Sequence, residues 1–351
     1  VEHSQTNHSN KCHLNLVIIN EVVSSLFFLL FPAALLLNGV AVWVSFHLRS
    51  TSTFIVYLKS LVAADLLMTL ALPPLAASML PQATVELRAL ACRYIDVVFY
   101  CCMYTSILLM GVISLDRFFK IVRPCGKALG QNVMFSIVMS SLVWVVIFGG
   151  TAIPTMILTD QEPPPDNLTA DFCMSMKSPA GVSLHKYVVV FMETLFWLAS
   201  VLIVFCYICI TAKVLKSFRN SGSNNAKGKK KTKLRVFLIL LVFCVCFVPL
   251  HLVRISVSHV KNVDTDGCRE MWVVIVHKVA RWVAATNACL DPLLYIYLCR
   301  EYRDKLVDMM KAKGGLASIQ LQGPQYKMNE QLYTCYFLVK VQHAKSSLCS
   351  N

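Results

Sequence analysis

The sequence predicts an all-α membrane protein, with a seven-transmembrane helix bundle and a short amphipathic eighth helix. Its 351 residues are 56% hydrophobic and 15% charged, with a mean hydropathy of +0.60. Soluble domains have about 45–50% apolar and about 25% charged residues. Seven apolar runs are long enough to cross a bilayer, which takes about 20 residues, and basic residues lie mainly between them. These observations exclude a soluble domain, a disordered chain and a small disulfide scaffold.

The seven runs follow one another along the chain, and we expect each to form one membrane span. They cover residues 22–46, 54–79, 90–121, 133–158, 187–215, 234–257 and 271–298. The expected organisation is an extracellular N-terminal segment at 1–21, the bundle at 22–298, an amphipathic helix at 299–311 and a cytoplasmic tail at 312–351. The tail contains an apolar stretch at 333–341 to which this scheme assigns no role.

Lysine and arginine residues indicate the orientation, because cytoplasmic loops of membrane proteins are enriched in them. They fill the connections after spans one, three and five and follow span seven, whereas the opposite connections are acidic. We therefore expect an extracellular N-terminus and a cytoplasmic C-terminus, in the plasma membrane. This topology explains the net charge of +14 without a nucleic-acid partner. Two glycosylation sequons, at Asn7 and Asn167, fall on the expected extracellular side.

Several polar residues lie inside the apolar runs, where ionisable groups are costly and mark function by default. Asp65 is in span two and Asp291 in span seven, one turn after Asn287. With Asn38 and Ser106, they are expected to meet in a small polar cavity. Their oxygen atoms suit a sodium ion or a water cluster. The alternative is a hydrogen-bonded structural cluster without an ion.

The cytoplasmic ends of the spans contain a second group of candidates. Asp116 precedes Arg117 at the inner end of span three, where a carboxylate can hold the guanidinium until a conformational change releases it. An Arg that simply reaches the interface is the alternative. Pro249 in span six interrupts the helix hydrogen-bonding pattern, and Phe243 and Phe247 beside it are candidates for a packing switch. A bent helix with no moving role is the alternative there.

These residues together resemble those of the rhodopsin-like (class A) G protein-coupled receptors. The resemblance extends over all seven spans, and it rests on Asn38-Gly39, Asp65, Cys92, Asp116-Arg117-Phe118, Trp144, Pro154, Tyr207, Phe243, Cys246-Phe247-Val248-Pro249, Asn287 and Asp291-Pro292-Leu293-Leu294-Tyr295. Phe247 replaces the usual Trp, and Asp291 replaces the usual Asn. Both replacements resemble the purinergic nucleotide receptors, in the branch that contains the platelet ADP receptor and the UDP-sugar receptor.

Cationic residues at the outer ends of the spans predict a pocket for an anionic ligand. The candidate ligand-binding residues are Tyr100, Tyr104, Lys177, His185, His251, Arg254, His277, Lys278 and Arg281. Tyr100 and Tyr104 lie one helical turn apart and offer a stacking face for a flat base. The resemblance implies nucleotide contacts for Tyr100, Lys177, His185, His251 and Arg254. Thr155, Val189, Val257, His277 and Lys186 depart from the pattern of the branch. A nucleotide of the ADP or UDP-sugar type is expected, and an orphan or lysophospholipid-type receptor is the alternative.

The resemblance also implies the partners and the covalent links of the protein. It implies a disulfide between Cys92 and Cys173 and a second between Cys12 and Cys268. Cys299 is a candidate palmitoylation site, because it precedes the expected amphipathic helix. Activation would bring Arg117 and Tyr207 together and open a cavity for a Gi-type G protein, with Tyr295 in the same switch. Arrestin and a receptor kinase are further expected partners. No cofactor is expected apart from the sodium ion.

The sequence disfavours two other function classes. A transporter would require internal repeats and paired charges along a pore, and the sequence has neither. An enzyme would require a nucleophile, base or metal motif, and neither Gly-Xaa-Ser-Xaa-Gly nor His-Glu-Xaa-Xaa-His occurs. The chain is therefore not expected to be an enzyme.

Overall fold

The computed structural model describes residues 2–49, 52–122, 132–164, 172–220, 226–260 and 267–313. Within these ranges the chain forms twelve α-helices. They are α1 (Glu2–His47), α2 (Thr53–Ser78), α3 (Val85–Leu90), α4 (Asp96–Val122), α5 (Val133–Trp144), α6 (Ile153–Ile157), α7 (Phe172–Ser175), α8 (Pro179–Asn220), α9 (Ala226–Val260), α10 (Gly267–Ala285), α11 (Asn287–Leu298) and α12 (Arg300–Lys313). Two π-helical segments, Ala91–Ile95 and Val145–Ala152, join α3 to α4 and α5 to α6.

Seven helical stretches of the described chain are long and apolar enough to span a membrane, so the predicted fold class is confirmed. They are Val17–His47, Thr53–Ser78, Val85–Val122, Val133–Ile157, Pro179–Ser217, Val236–Arg254 and Trp272–Tyr297, and we refer to them as spans one to seven. Several helices are longer than the apolar runs that predicted them. Helix α8, for example, begins at Pro179 and ends at Asn220, because polar residues continue a helix outside the hydrocarbon layer.

Spans two and three form the centre of the bundle. In each, 61% of the most apolar window is buried inside the protein, against 22–33% in the other five spans. The outer spans instead expose large apolar side chains such as Leu36, Val201 and Phe237. A helix bundle needs no polar surface at the depth of the hydrocarbon layer, so these faces are the expected boundary with the acyl chains.

Prolines and local breaks shape spans six and seven. Pro249 lies inside α9 and Pro292 inside α11, as predicted, and each lacks the N–H that a helix normally donates. Span seven is also interrupted at Thr286, which separates α10 from α11. The hydropathy of the run gave no signal for this break.

A disulfide joins the outer end of span three to the loop before span five. Cys92 and Cys173 are bonded, as the resemblance implies. The second expected bridge, Cys12–Cys268, and the sequon at Asn7 involve side chains outside the described part, and Asn167 and the tail from residue 314 are also outside it. Helix α12 covers most of the region predicted to be amphipathic.

Candidate functional site

Asp65 is the centre of a buried polar network between spans two, three and seven. Its side chain is 0% exposed. Ser106 donates a hydrogen bond to Asp65 Oδ1 at 3.2 Å, and the Tyr295 hydroxyl donates one to Oδ2 at 2.8 Å. Because a carboxylate in hydrocarbon is costly without such donors, these contacts explain how span two accommodates an acid.

Asn38 links span one to the proline of span seven. Pro292 has no N–H, so the carbonyl of Ala288, one turn earlier, lacks its helical donor. The Asn38 amide donates to that carbonyl at 2.7 Å, and also to Thr69 Oγ1 at 3.2 Å. The sequence marked Asn38 and Pro292 separately, and the structure shows that one compensates for the other.

Asn287 and Asp291 complete the network. The Asn287 amide donates to Asp291 Oδ2 at 2.8 Å across one helical turn, and the Asp291 and Asp65 carboxyl groups interact directly. The five residues predicted to meet in a polar cavity thus belong to one buried polar network, and the cavity itself stays a prediction. Thr69, which donates to the Asp65 carbonyl oxygen at 2.7 Å, is a member that the sequence did not indicate.

Arg254 is the central cation in the outer half of the bundle. Its Nη1 donates to the Tyr104 hydroxyl at 2.7 Å, and its guanidinium lies 4.8 Å from the centre of the Tyr100 ring. The same Nη1 is 3.7 Å from Glu193 Oε1. His251 Nδ1 lies 3.0 Å from that oxygen. Side chains of spans three and five thus converge on a guanidinium of span six.

Arg281 approaches the same tyrosine from span seven. Its guanidinium is 5.7 Å from the centre of the Tyr100 ring and 5.4 Å from that of Phe99. It also forms an ion pair with Asp96 at 2.9 Å. Two arginines from different spans therefore share one aromatic ring, and the quadrupole of the ring favours both cations.

The remaining predicted cations surround this pair. Lys278 donates to the side chain of Asn20 on span one, and His277 lies close to Arg254, Lys278 and Arg281. In the loop before span five, Lys177 Nζ is 3.1 Å from His185 Nδ1. Burial lowers the pKa of Lys177, and the nearby Asp96 carboxylate opposes that shift. The nine predicted ligand residues thus lie at one end of the bundle.

An aromatic column runs inward from this end. The His251 and Phe196 rings are stacked with centres 3.5 Å apart, Phe196 and Phe243 follow at 5.9 Å, and Phe243 meets Phe247 at 5.5 Å. The column connects the cationic end with the aromatic residues beside Pro249. Phe196 was not predicted, because a Phe within an apolar run is indistinguishable from ordinary core.

A family model supplies the decisive comparison. The model of the seven-transmembrane receptors of the rhodopsin family matches residues 37–295, which include most of the bundle and all of the polar network described above. The chain belongs to the rhodopsin family. Membership implies that this receptor couples to a G protein, binds a small molecule and is not an enzyme, as expected from the sequence.

Similar proteins place the receptor in the purinoceptor branch. It is 37% identical to purinoceptor 13 of Homo sapiens over 308 residues, which cover 88% of this chain and 86% of that protein. It is 35% identical to purinoceptor 14 of Bos taurus over 296 residues, or 84% and 87% of the two chains. It is also 35% identical to G-protein coupled receptor 87 of Mus musculus over 287 residues, or 81% and 79%.

The inner end of span three differs from the sequence-based expectation. Asp116 does not hold Arg117. Its Oδ1 accepts from Thr53 at 2.8 Å and its Oδ2 pairs with Lys120 at 2.8 Å, while the Arg117 guanidinium lies 4.3 Å from the centre of the Phe54 ring. Residues four apart share a helix face and adjacent residues do not, so Lys120 is better placed than Arg117 to reach the carboxylate.

Tyr207 and Cys299 lie towards the end of the bundle that contains Arg117, opposite the cationic end. Tyr207 is buried and lies near Arg117 and Ser114. Cys299 is only 5% exposed, and its sulfur accepts from the Tyr302 amide at 3.4 Å. Burial raises the pKa of Cys299 and raises that of Tyr302 to about 12. Palmitoylation of Cys299, which would require this thiol to become accessible, stays a prediction.

Two acidic residues of the cationic end of the bundle were not predicted from the sequence. Asp96 and Glu193 pair with Arg281 and Arg254. The rule that drew attention to Asp65, that an acid within an apolar run is exceptional, applies equally to Glu193 in span five and could have found it. Asp96 lies near the outer end of its run and gave a weaker signal.

Proposed function

We propose that this receptor responds to an extracellular anionic ligand, a nucleotide of the ADP or UDP-sugar type, and signals through a Gi-type G protein. The observation that supports an anion most directly is the arrangement of Arg254 and Arg281 around the Tyr100 ring. The relatives named purinoceptors support a nucleotide as the source of the anion.

The balance of charge in the pocket favours an anion even after its internal pairs are counted. Lys177, Arg254, Lys278 and Arg281 face two carboxylates, Asp96 and Glu193, which leaves an excess of two positive charges. A low-dielectric site strengthens the attraction between such an excess and a phosphate. The Tyr100 and Tyr104 rings would contact the base.

The orientation belongs to the same proposal. The ligand end is extracellular in the plasma membrane and the C-terminus is cytoplasmic, which agrees with the basic residues at the opposite end. The Cys92–Cys173 bridge also supports this orientation, because disulfides persist in oxidising compartments. A tag at the N-terminus would be labelled on intact cells, and a tag at the C-terminus only after permeabilisation. The reverse pattern would refute the orientation.

Signalling follows from the connection between the two ends of the bundle. A ligand shifts a conformational equilibrium only through its different affinities for the two states. In this receptor, ligand contacts at His251 would act on Phe196, Phe243 and Phe247 and so on the hinge at Pro249. The active state would bring Arg117 near Tyr207 and admit the G protein, and arrestin and a receptor kinase would recognise the same state.

A sodium ion is proposed for the polar network. Asp65 supplies a carboxylate and Ser106 a hydroxyl oxygen. The side-chain oxygens of Asn38 and Asn287 are buried and have no hydrogen-bond partner within the described chain, so the donor set suits a hard monovalent cation. When bound, the ion would neutralise part of the carboxylate charge. Agonist affinity should then fall as sodium replaces potassium, and Asp65→Asn should remove that difference. A difference that survives Asp65→Asn would refute the site.

The test of the main proposal is nucleotide-stimulated guanine-nucleotide exchange in membranes that contain the receptor and Gi. We expect ADP or UDP-glucose to stimulate exchange in the wild-type receptor and Arg254→Ala to abolish the response with unchanged surface expression. Lys186→Ala is the matched control, because it removes an exposed cation of span five. An unchanged dose response in Arg254→Ala would refute the cationic pocket.

A further inference from the structure

Glu193 is a further intramembrane acid besides Asp65 and Asp291, on span five, and it faces the cation that the ligand is proposed to use. Its Oε1 is 3.0 Å from His251 Nδ1 and 3.7 Å from Arg254 Nη1, and the side chain is 15% exposed. Ionisable groups at this depth are costly unless they have a partner or a role. These contacts use only one of the two carboxylate oxygens.

Within the described part of the chain, the other oxygen of Glu193 and one ring nitrogen of His251 lack a hydrogen-bond partner. Glu193 Oε2 and His251 Nε2 are both buried, and neither has a hydrogen-bond partner within the described residues. When Nδ1–H is donated to Glu193, a neutral imidazole presents Nε2 as an acceptor. The cluster therefore offers two acceptors and lacks a donor for them.

The position of His251 is fixed by aromatic neighbours. Its ring is 0% exposed, stacks on Phe196 at 3.5 Å and meets the edge of Tyr104 at 5.5 Å. It cannot turn away from Glu193 without disturbing both contacts. The two acceptors are thus held in place by packing, which favours recognition of a group of defined geometry.

An anion that binds Arg254 also comes close to the Glu193 carboxylate, since Arg254 and Glu193 are themselves 3.7 Å apart. A bare phosphate would experience repulsion from that carboxylate. A ligand that carries a hydrogen-bond donor beside its phosphate would satisfy the unpartnered oxygen and reduce the repulsion. We propose that Glu193 and His251 form a subsite that selects ligands with a hydroxyl or ammonium group adjacent to the phosphate.

This inference rests on the proposed function and narrows its ligand class. The required chemistry is a phosphodiester with a neighbouring donor. A sugar hydroxyl of a nucleotide sugar and an ammonium group of a lysophospholipid headgroup both supply it. Asp96, the other acid near these cations, forms its ion pair with Arg281 on span seven at 2.9 Å.

The experiment compares two matched pairs of probes on the purified full-length receptor. UDP-glucose and the β-methyl ester of UDP differ in the sugar donors, and lysophosphatidylethanolamine and lysophosphatidylmethanol differ in the ammonium group. Binding is measured as the ligand-dependent shift in thermal unfolding over a concentration series. We expect the wild-type receptor to prefer the donor-bearing member of at least one pair by at least about tenfold, typical of a hydrogen bond to a charged group.

Two variants test the role of Glu193. Glu193→Gln preserves the shape and removes the charge, and Glu193→Ala removes both. We expect the preference to fall to about threefold or less in Glu193→Ala, to be intermediate in Glu193→Gln, and binding of the donor-free probe to strengthen. Glu21→Gln, which removes an exposed carboxylate of span one, should leave the preference unchanged.

The outcomes separate the subsite from the proposed function. Equal binding of both members of each pair, or a preference that persists in Glu193→Ala, overturns the subsite and leaves the anionic pocket intact. Binding of no probe by any of the proteins also overturns the subsite, and the proposed function is then judged from the exchange assay with Arg254→Ala. Preference within the nucleotide pair alone or the lipid pair alone identifies the source of the donor.

Discussion

At the scale of single residues, partner choice at the inner end of span three follows from helix geometry. Asp116 is adjacent to Arg117 in the chain but shares a helix face with Lys120, to which it is bonded at 2.8 Å. Thr53 of span two donates to the other carboxylate oxygen. Arg117 is consequently held by the ring of Phe54, a weaker restraint than a buried ion pair.

Replacement of Lys120 by Met should therefore allow Asp116 to form an ion pair with Arg117. This pair should lower signalling in the absence of agonist. We expect basal guanine-nucleotide exchange to fall by up to about tenfold, which corresponds to about 1.4 kcal/mol. The measurement is agonist-free exchange in membranes with matched receptor levels. Lys213→Met, at an exposed lysine of span five, is the control. Basal exchange that is unchanged or higher in Lys120→Met would show that Lys120 and Arg117 do not compete for Asp116.

At the scale of helices, the proline of span seven and the asparagine of span one act together. Pro292 leaves the Ala288 carbonyl without a helical donor, and Asn38 supplies one at 2.7 Å. An unpaired carbonyl within hydrocarbon costs free energy that water cannot offset. The contact therefore joins two helices that are far apart in the sequence.

Asn38→Ala should destabilise the receptor by about 1–3 kcal/mol, the cost of a buried polar group left unpaired. Pro292→Ala restores an N–H that can bond the Ala288 carbonyl. In the double variant the loss due to Asn38→Ala should be smaller than in the wild-type background, so the two effects should not add. Thermal unfolding of the purified receptor and its three variants completes this double-mutant cycle. Additive changes in Tm would show that Asn38 does not stabilise the receptor through the Ala288 carbonyl.

The sequence allowed most of the helices to be predicted, because length and hydropathy determine whether a run can span a bilayer. It did not reveal the break at Thr286 or the π-helical segment at Val145–Ala152, which depend on contacts between helices. In the site, Asp65 and Asp291 were predictable as acids in apolar runs. Thr69 and Phe196 were not predictable, since Thr and Phe are common residues in an apolar run and only their packing gives these two a role.

At the scale of the whole molecule, the two ends of the bundle are connected through its aromatic interior. The cationic end contains His251, and the inner end of the aromatic column contains Phe247 beside Pro249. Phe196 of span five lies between His251 and Phe243, with ring centres 3.5 Å and 5.9 Å away. Its removal would interrupt the column and loosen the packing of His251, and it would leave the Arg254 and Arg281 contacts with the Tyr100 ring intact.

Phe196→Ala should therefore separate agonist binding from activation. We expect the affinity for the anionic agonist to change by less than about threefold, while maximal exchange falls by at least about fivefold, because coupling between sites requires an element that both of them bias. A cavity left by phenylalanine costs about 3–5 kcal/mol, so Phe196→Leu serves as a less disruptive second variant and surface expression is measured for both variants.

Phe191→Ala is the control, because it removes a ring from the exposed face of the same helix. It should leave agonist affinity and maximal exchange unchanged. Full efficacy in Phe196→Leu and Phe196→Ala would show that the signal reaches span six by another route, through the Glu193 and Arg254 contacts between spans five and six.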